Sequence, residues 1–166
     1  MESLIYNLIG LISQEMPELR TVDEDYGQLE NLRNEQEDMY PLTFPAVLID
    51  APETEWSNAS QGCQEGTAWL RVRLILDCYD DTHAGSDTTD GILARHETCQ
   101  QLHHLVSGFR PVGMGEMVRT KSKFYTWSFG LKVYETTYPC AVEDVFKKTV
   151  SSTVKPRLTI SVPPLS

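Results

Sequence analysis

His96, Cys99 and His103 fall three and then four residues apart, which sets three side chains on one face of a helix. Imidazole and thiolate are ligands that zinc accepts, but a site needs a fourth group and partners that orient the rings. The competing reading is that both histidines flank a buried stripe and are satisfied by hydrogen bonds. The expectation is no metal and no other cofactor. His83 stands beside Asp80 and Asp81, residue types that do acid–base work, yet no nucleophile can be named for them to activate. A surface loop accounts for that cluster better. Glu53 and Glu55 beside Trp56 could act as a glycosidase-like carboxylate pair, but any two acids in an acidic loop look alike. Gly113-Met114-Gly115 lacks the third glycine and the strand–turn–helix setting of a dinucleotide site, and reads as a turn. No catalytic residue is assigned.

Arg119, Lys121 and Lys123 alternate, so an extended chain would set all three on one face, with Phe124, Tyr125 and Trp127 following. Basic residues interleaved with aromatics can bind single-stranded nucleic acid. An exposed edge strand guarded by charge gives the same pattern and is the favoured reading. In an assembly protein, this basic arm would meet the acidic loop of a neighbouring subunit. The candidate interface is Arg119, Lys121, Lys123 and Tyr125, joined by Leu93 and Leu105.

The elements that position these residues follow from periodicity. Ser3 is placed to cap a first helix, in which Leu4, Ile5, Leu8, Leu11, Ile12 and Met16 recur at helical spacing up to Pro17. Residues 18–42 are acidic with little period and read as a long loop, with a short strand near 19–22. Residues 43–50 form an apolar run, as in a strand buried on both faces. A polar loop follows through Trp56 and Gly62. Residues 69–79 make the clearest strand: Leu70, Val72, Leu74, Leu76 and Cys78 share one face, Arg71, Arg73, Ile75 and Asp77 the other. Residues 88–109 read as a second helix stopped by Gly108, with Ile92, Cys99, Leu102 and Val106 as its buried stripe and Leu93 and Leu105 outside it. Residues 113–125 suggest an irregular strand or hairpin arm. Residues 126–138 alternate as a strand that Pro139 ends, and 141–146 form a short strand or turn. The fold class is α+β, one domain over 1–146 with a central, mostly antiparallel sheet flanked by the two helices. Residues 147–166 make a basic last strand or extended tail.

The chain has 166 residues and 40% hydrophobic content, enough for a packed core. Its net charge of −10 opposes non-specific binding to phosphate backbones. That charge is lopsided: residues 1–66 carry −12 and residues 67–166 carry +2. One reading is a solvated acidic loop; the sharper one is head-to-tail self-association of unlike patches. Cys63, Cys78, Cys99 and Cys140 are far apart and form no C-x-x-C pair, which suggests reduced, intracellular thiols. The apolar start has no basic leader and is too short to span a bilayer, so no membrane partner is expected.

The order of these elements resembles the tail terminator, or tail completion, proteins of tailed bacteriophages. The carrying features are the helix with Leu4 to Ile12, the run Phe44-Pro45-Ala46-Val47-Leu48-Ile49-Asp50, and the strand over 68–79 followed by Asp80-Asp81-Thr82. The helix over 90–106 and the strand over 128–134 complete the set, so the likeness covers about residues 3–138. The resemblance implies a structural, non-enzymatic subunit of a phage or prophage virion, made in the host cytoplasm. It implies a homohexameric ring that caps the tail tube, meets the head-side connector and lets DNA pass through its lumen without specific binding. The alternatives are another head–tail joining protein, a small hydrolase, or a nucleic-acid-binding module.

Overall fold

Helix α1 (Glu2–Glu15) buries Leu4, Ile5, Leu8 and Ile12, the stripe that recurs every three or four residues. Glu2 puts a negative charge in the first turn, where the helix dipole favours it, and Ser3 lies inside that turn rather than capping it. Met16, fully buried, still donates to the Ile12 carbonyl at 2.9 Å, and Pro17 follows. The computed structural model describes residues 2–32, 42–60, 63–79, 82–110 and 116–145. The extended tail expected over 147–166 therefore lies outside the described residues, as do residues 33–41.

The acidic stretch expected as loop carries two short elements, β1 (Thr21–Glu24) and α2 (Gln28–Asn31). Gly27, at φ 95°, makes the turn into α2 in a backbone region that favours glycine. The buried Gln28 side chain braces this turn, accepting from the Tyr26 N–H at 2.9 Å and donating to the Glu24 carbonyl at 2.6 Å.

Five further strands join β1 among the described residues. The first four are β2 (Ala46–Asp50), β3 (Thr54–Ser60), β4 (Cys63–Asp77) and β5 (Lys121–Thr126). A 3₁₀ turn (Ser128–Gly130) then leads into β6 (Leu131–Val145). The sheet runs β1-β2-β4-β6-β5, and β3 also pairs with β4, below β2. Among the described strands only β1 and β2 are parallel, so the sheet is mostly antiparallel as expected.

Four expectations are corrected here. The strand expected over 126–138 is split: Thr126 ends β5, a 3₁₀ turn occupies Ser128–Gly130, and β6 starts only at Leu131. The polar loop between residues 50 and 62 contains β3, which is polar because it is exposed. β4 starts at Cys63, not near 69, because β3 gives its first half a partner. Pro139 does not end a strand: β6 runs through it, opposite Trp69. Trp69 sends its N–H the other way, to the Glu53 carbonyl at 3.0 Å, so the Trp69–Pro139 rung needs no bond from Pro139. The nitrogen of Pro139 faces the outer edge, beyond the last β5 rung at Lys121 and Thr137, where no donor is required.

The sheet separates two clusters. On one face, Leu70, Val72, Leu74 and Leu76 of β4 meet α1 and the second long helix, α3 (Gly91–Gly108). On the other face, Leu48, Ile75, Leu131 and Val133 meet Leu29 of α2 and Leu42. This is the alternation expected for β4, and both faces of β2 are buried. α3 packs through its C-terminal half: Leu102 and Val106 are buried, Cys99 and Leu105 half-buried, and Ile92 exposed. Ile92 therefore leaves the expected stripe and Leu105 joins the core side. No helix among the described residues is long and apolar enough to cross a membrane.

Candidate functional site

The face of β4 opposite the long helices brings Arg71 and Arg73 against carboxylates. Arg71 Nε donates to Asp50 Oδ1 at 2.9 Å, and its Nη2 pairs with Asp50 Oδ2. Arg73 ion-pairs with Asp25, beside β1, and reaches Glu30 of α2 at 2.5 Å. Burial opposes the charge on Arg73, but Glu30 and Asp25 outweigh it and hold its pKa above the ordinary value. The Arg73 hydrogen bond holds Glu30 below the usual carboxylate range, against the opposing effect of burial. This network locks the short acidic elements onto the sheet. Every charge in it faces another. Sequence reasoning placed Arg71 and Arg73 on one face but missed their partners.

β5 presents most of the expected interface. Among the described strands it is an edge, exposed at Lys121, Ser122, Lys123, Phe124 and Thr126, with Tyr125 half-buried. Lys121 sits over the Trp69 ring at 5.7 Å and Lys123 over the Tyr125 ring at 4.9 Å. Neither lysine has a carboxylate within ion-pair distance among the described residues. Tyr125 packs edge-on against Trp127, and burial pushes its hydroxyl pKa up.

Arg119 departs from the expected single basic face. Thr120 donates to the Thr137 carbonyl at 3.0 Å although Lys121 is the residue opposite Thr137, so strict alternation is broken before β5 begins. Arg119 lines a cavity of about 200 Å³ between α3 and the sheet, with Leu102, His103, Phe124, Tyr134 and Tyr138. His103 Nδ1 lies 3.0 Å from the Tyr138 hydroxyl and 3.2 Å from Ser107 Oγ. Burial lowers the His103 pKa, and the charges of Arg119 and His104 lower it further. Burial also pushes the Tyr138 hydroxyl up to about 12 and the Cys99 thiol up to about 11.

The remaining candidates do not converge. Among the described residues, no three His, Cys, Asp or Glu side chains gather as metal ligands; His103 is engaged with Tyr138 and Ser107 while His96 is exposed. Asp80, Asp81 and Gly113-Met114-Gly115 lie outside the described residues, and the His83 carbonyl accepts from Ser86 and Thr89 in a surface turn. Glu53 and Glu55 are exposed at the rim of β3. Of the other two interface candidates, Leu93 is exposed on the free half of α3, whereas Leu105 packs against the subunit's own core.

No protein-family model and no curated protein matches the sequence. Among solved structures, a chain of the virion of a native gene transfer agent particle is 10% identical. The likeness covers 84% of this chain and 91% of that one, with a TM-score of 0.41.

Proposed function

We propose that the chain is a structural subunit of a phage or prophage virion that associates with itself, closes the end of a tail tube and meets the head-side connector. The observation behind this reading is β5, a basic edge strand exposed along almost its whole length. An edge of this kind offers backbone donors and acceptors to another chain. Its lysines repel a second basic edge and admit an acidic one, which selects a partner as well as providing contact. The elements behind the resemblance to tail terminators are formed in the expected order: α1, β2, β4, α3 and β6. The capping role itself comes from that resemblance.

The test is to grow tail tubes with and without the protein and measure their lengths by electron microscopy. Capping predicts tubes of bounded length only when the protein is present. Replacing Arg119, Lys121 and Lys123 together by Glu should leave the circular dichroism spectrum unchanged and abolish the bound. Equal tube lengths with and without the protein would overturn the proposal.

A further inference from the structure

The sheet has a second exposed edge. Among the described residues β3 pairs only with β4, and Glu55, Trp56, Ser57, Asn58 and Ala59 are all exposed. β3 and β5 lie on opposite sides of the β4–β6 pair. Resting on the self-association reading above, we propose that β3 of one copy pairs antiparallel with β5 of the next, so that the sheets of neighbouring subunits continue as one.

Strand direction fits. β3 is antiparallel to β4, β4 to β6, and β6 to β5, so β3 and β5 run oppositely within a subunit. β3 lies at the Cys63 end of β4 and β5 at its Asp77 end, with Glu55 level with Thr67 and Lys123, through Glu135, level with Arg73. Two copies in the same orientation, slipped along the strands by about six residues, therefore bring β3 against β5 as an antiparallel pair. This head-to-tail contact uses two different patches, as a ring requires.

The phase of the backbone hydrogen bonds also fits. Trp127 donates to the Leu131 carbonyl at 2.7 Å, so by alternation Lys121, Lys123 and Tyr125 bond inward to β6, while Ser122, Phe124 and Thr126 point their N–H and C=O outward. At the other edge, Trp69 donates to the Glu53 carbonyl, so Glu55 and Ser57 bond inward to β4, while Thr54, Trp56 and Asn58 point outward. The outward groups of the two edges can thus bond each other.

The side chains fit on both faces. Trp56 stands opposite Gly66 and Phe124 opposite Tyr134, which places both aromatics on the face that carries α1 and α3. They are 50% and 56% exposed. Glu55, Lys121 and Lys123 are on the other face, with Arg71 and Arg73. A register that sets Glu55 opposite Lys123 makes Trp56 a diagonal neighbour of Phe124, so one pairing covers two exposed aromatics and neutralises a charge. Pairing β5 with β5 would instead set lysines against lysines.

Mixing copies carrying Glu55→Cys with copies carrying Lys123→Cys, then oxidising mildly, tests the contact directly. A cross-linked pair is expected in the mixture and not in the parent protein, whose native cysteines serve as the control. No cross-link at about 100 µM, a concentration suited to weak contacts, would overturn the proposal. Phe124→Pro removes an outward donor and the exposed ring beside Tyr134, but no inward bond to β6, so the fold should survive while self-association weakens about tenfold or more. If that variant misfolds, Lys123→Glu gives the same loss, and adding Glu55→Lys should restore association. A Lys123→Glu chain that associates as the parent does counts against the pairing. Rings or tube caps built by well-folded Phe124→Pro copies would overturn the edge pairing and leave the virion reading standing. Cross-linked pairs that never engage tail tubes would do the reverse.

Discussion

Arg73 and Asp25 meet as an ion pair with side chains only 4% and 3% exposed. Removing Arg73 leaves Asp25 in a low-dielectric site with only the longer Arg71 contact, at 3.8 Å, and breaking a buried pair in this way costs up to about 3–5 kcal/mol. Arg73→Met should therefore lower stability by up to that amount in a urea melt, whereas Arg73→Met with Asp25→Leu should recover much of the loss, because a buried pair is readily replaced by packed apolar groups. A double variant no better than the single would mean that Asp25 holds β1 in place by other contacts.

Glu30 makes stability sensitive to acid. Its folded pKa is lowered by Arg73, so its contribution is fully present above the unfolded value of about 4.5 and is lost as pH falls toward the folded value. The side chain is 48% exposed, so solvent screens the pair and the effect is modest. Thermal melts from about pH 6 to pH 3 should show a steeper loss in the parent than in Glu30→Gln. Parallel curves would remove Glu30 from the acid response.

Gly66 leaves room for β3. A Cβ there would come within 2.8 Å of the Glu55 carbonyl and 2.9 Å of the Trp56 ring. Gly66→Ala should push β3 off β4 and lower stability by about 1–3 kcal/mol, the usual range for overpacking. Amide exchange should then rise first across Thr54–Ser60 and only later in β2. Unchanged protection in β3 would mean that the Trp56 ring simply swings away.

The strands that could be read in the sequence are those with two unlike or two apolar faces. Leu70 to Leu76 alternate because one side meets helices, and Val47 to Ile49 are apolar because both sides are buried. β3 was hidden because its exposed residues are mostly polar, with Trp56 and Ala59 at no regular period. Burial of Arg73 was hidden because its partners, Asp25 and Glu30, lie more than forty residues away in an aperiodic acidic stretch. Ile92 was misread because helical spacing says which residues could share a face, not how far along the helix a neighbour extends. The basic candidates proved legible as an edge strand at Lys121 and Lys123. Arg119 was expected on one face with Lys121 and Lys123, and the irregular rung at Thr120 that changes this cannot be seen in residue types.

β4 and β6 are joined along the full length of both, 15 residues each, in one unbroken register. The bonds lie across the strands. A pull along the strands therefore strains many rungs together, whereas a pull at one end, across the ladder, opens them singly like a zip. The chain is mechanically directional: stiff in shear along this ribbon and weak to peeling from the tip at Cys63.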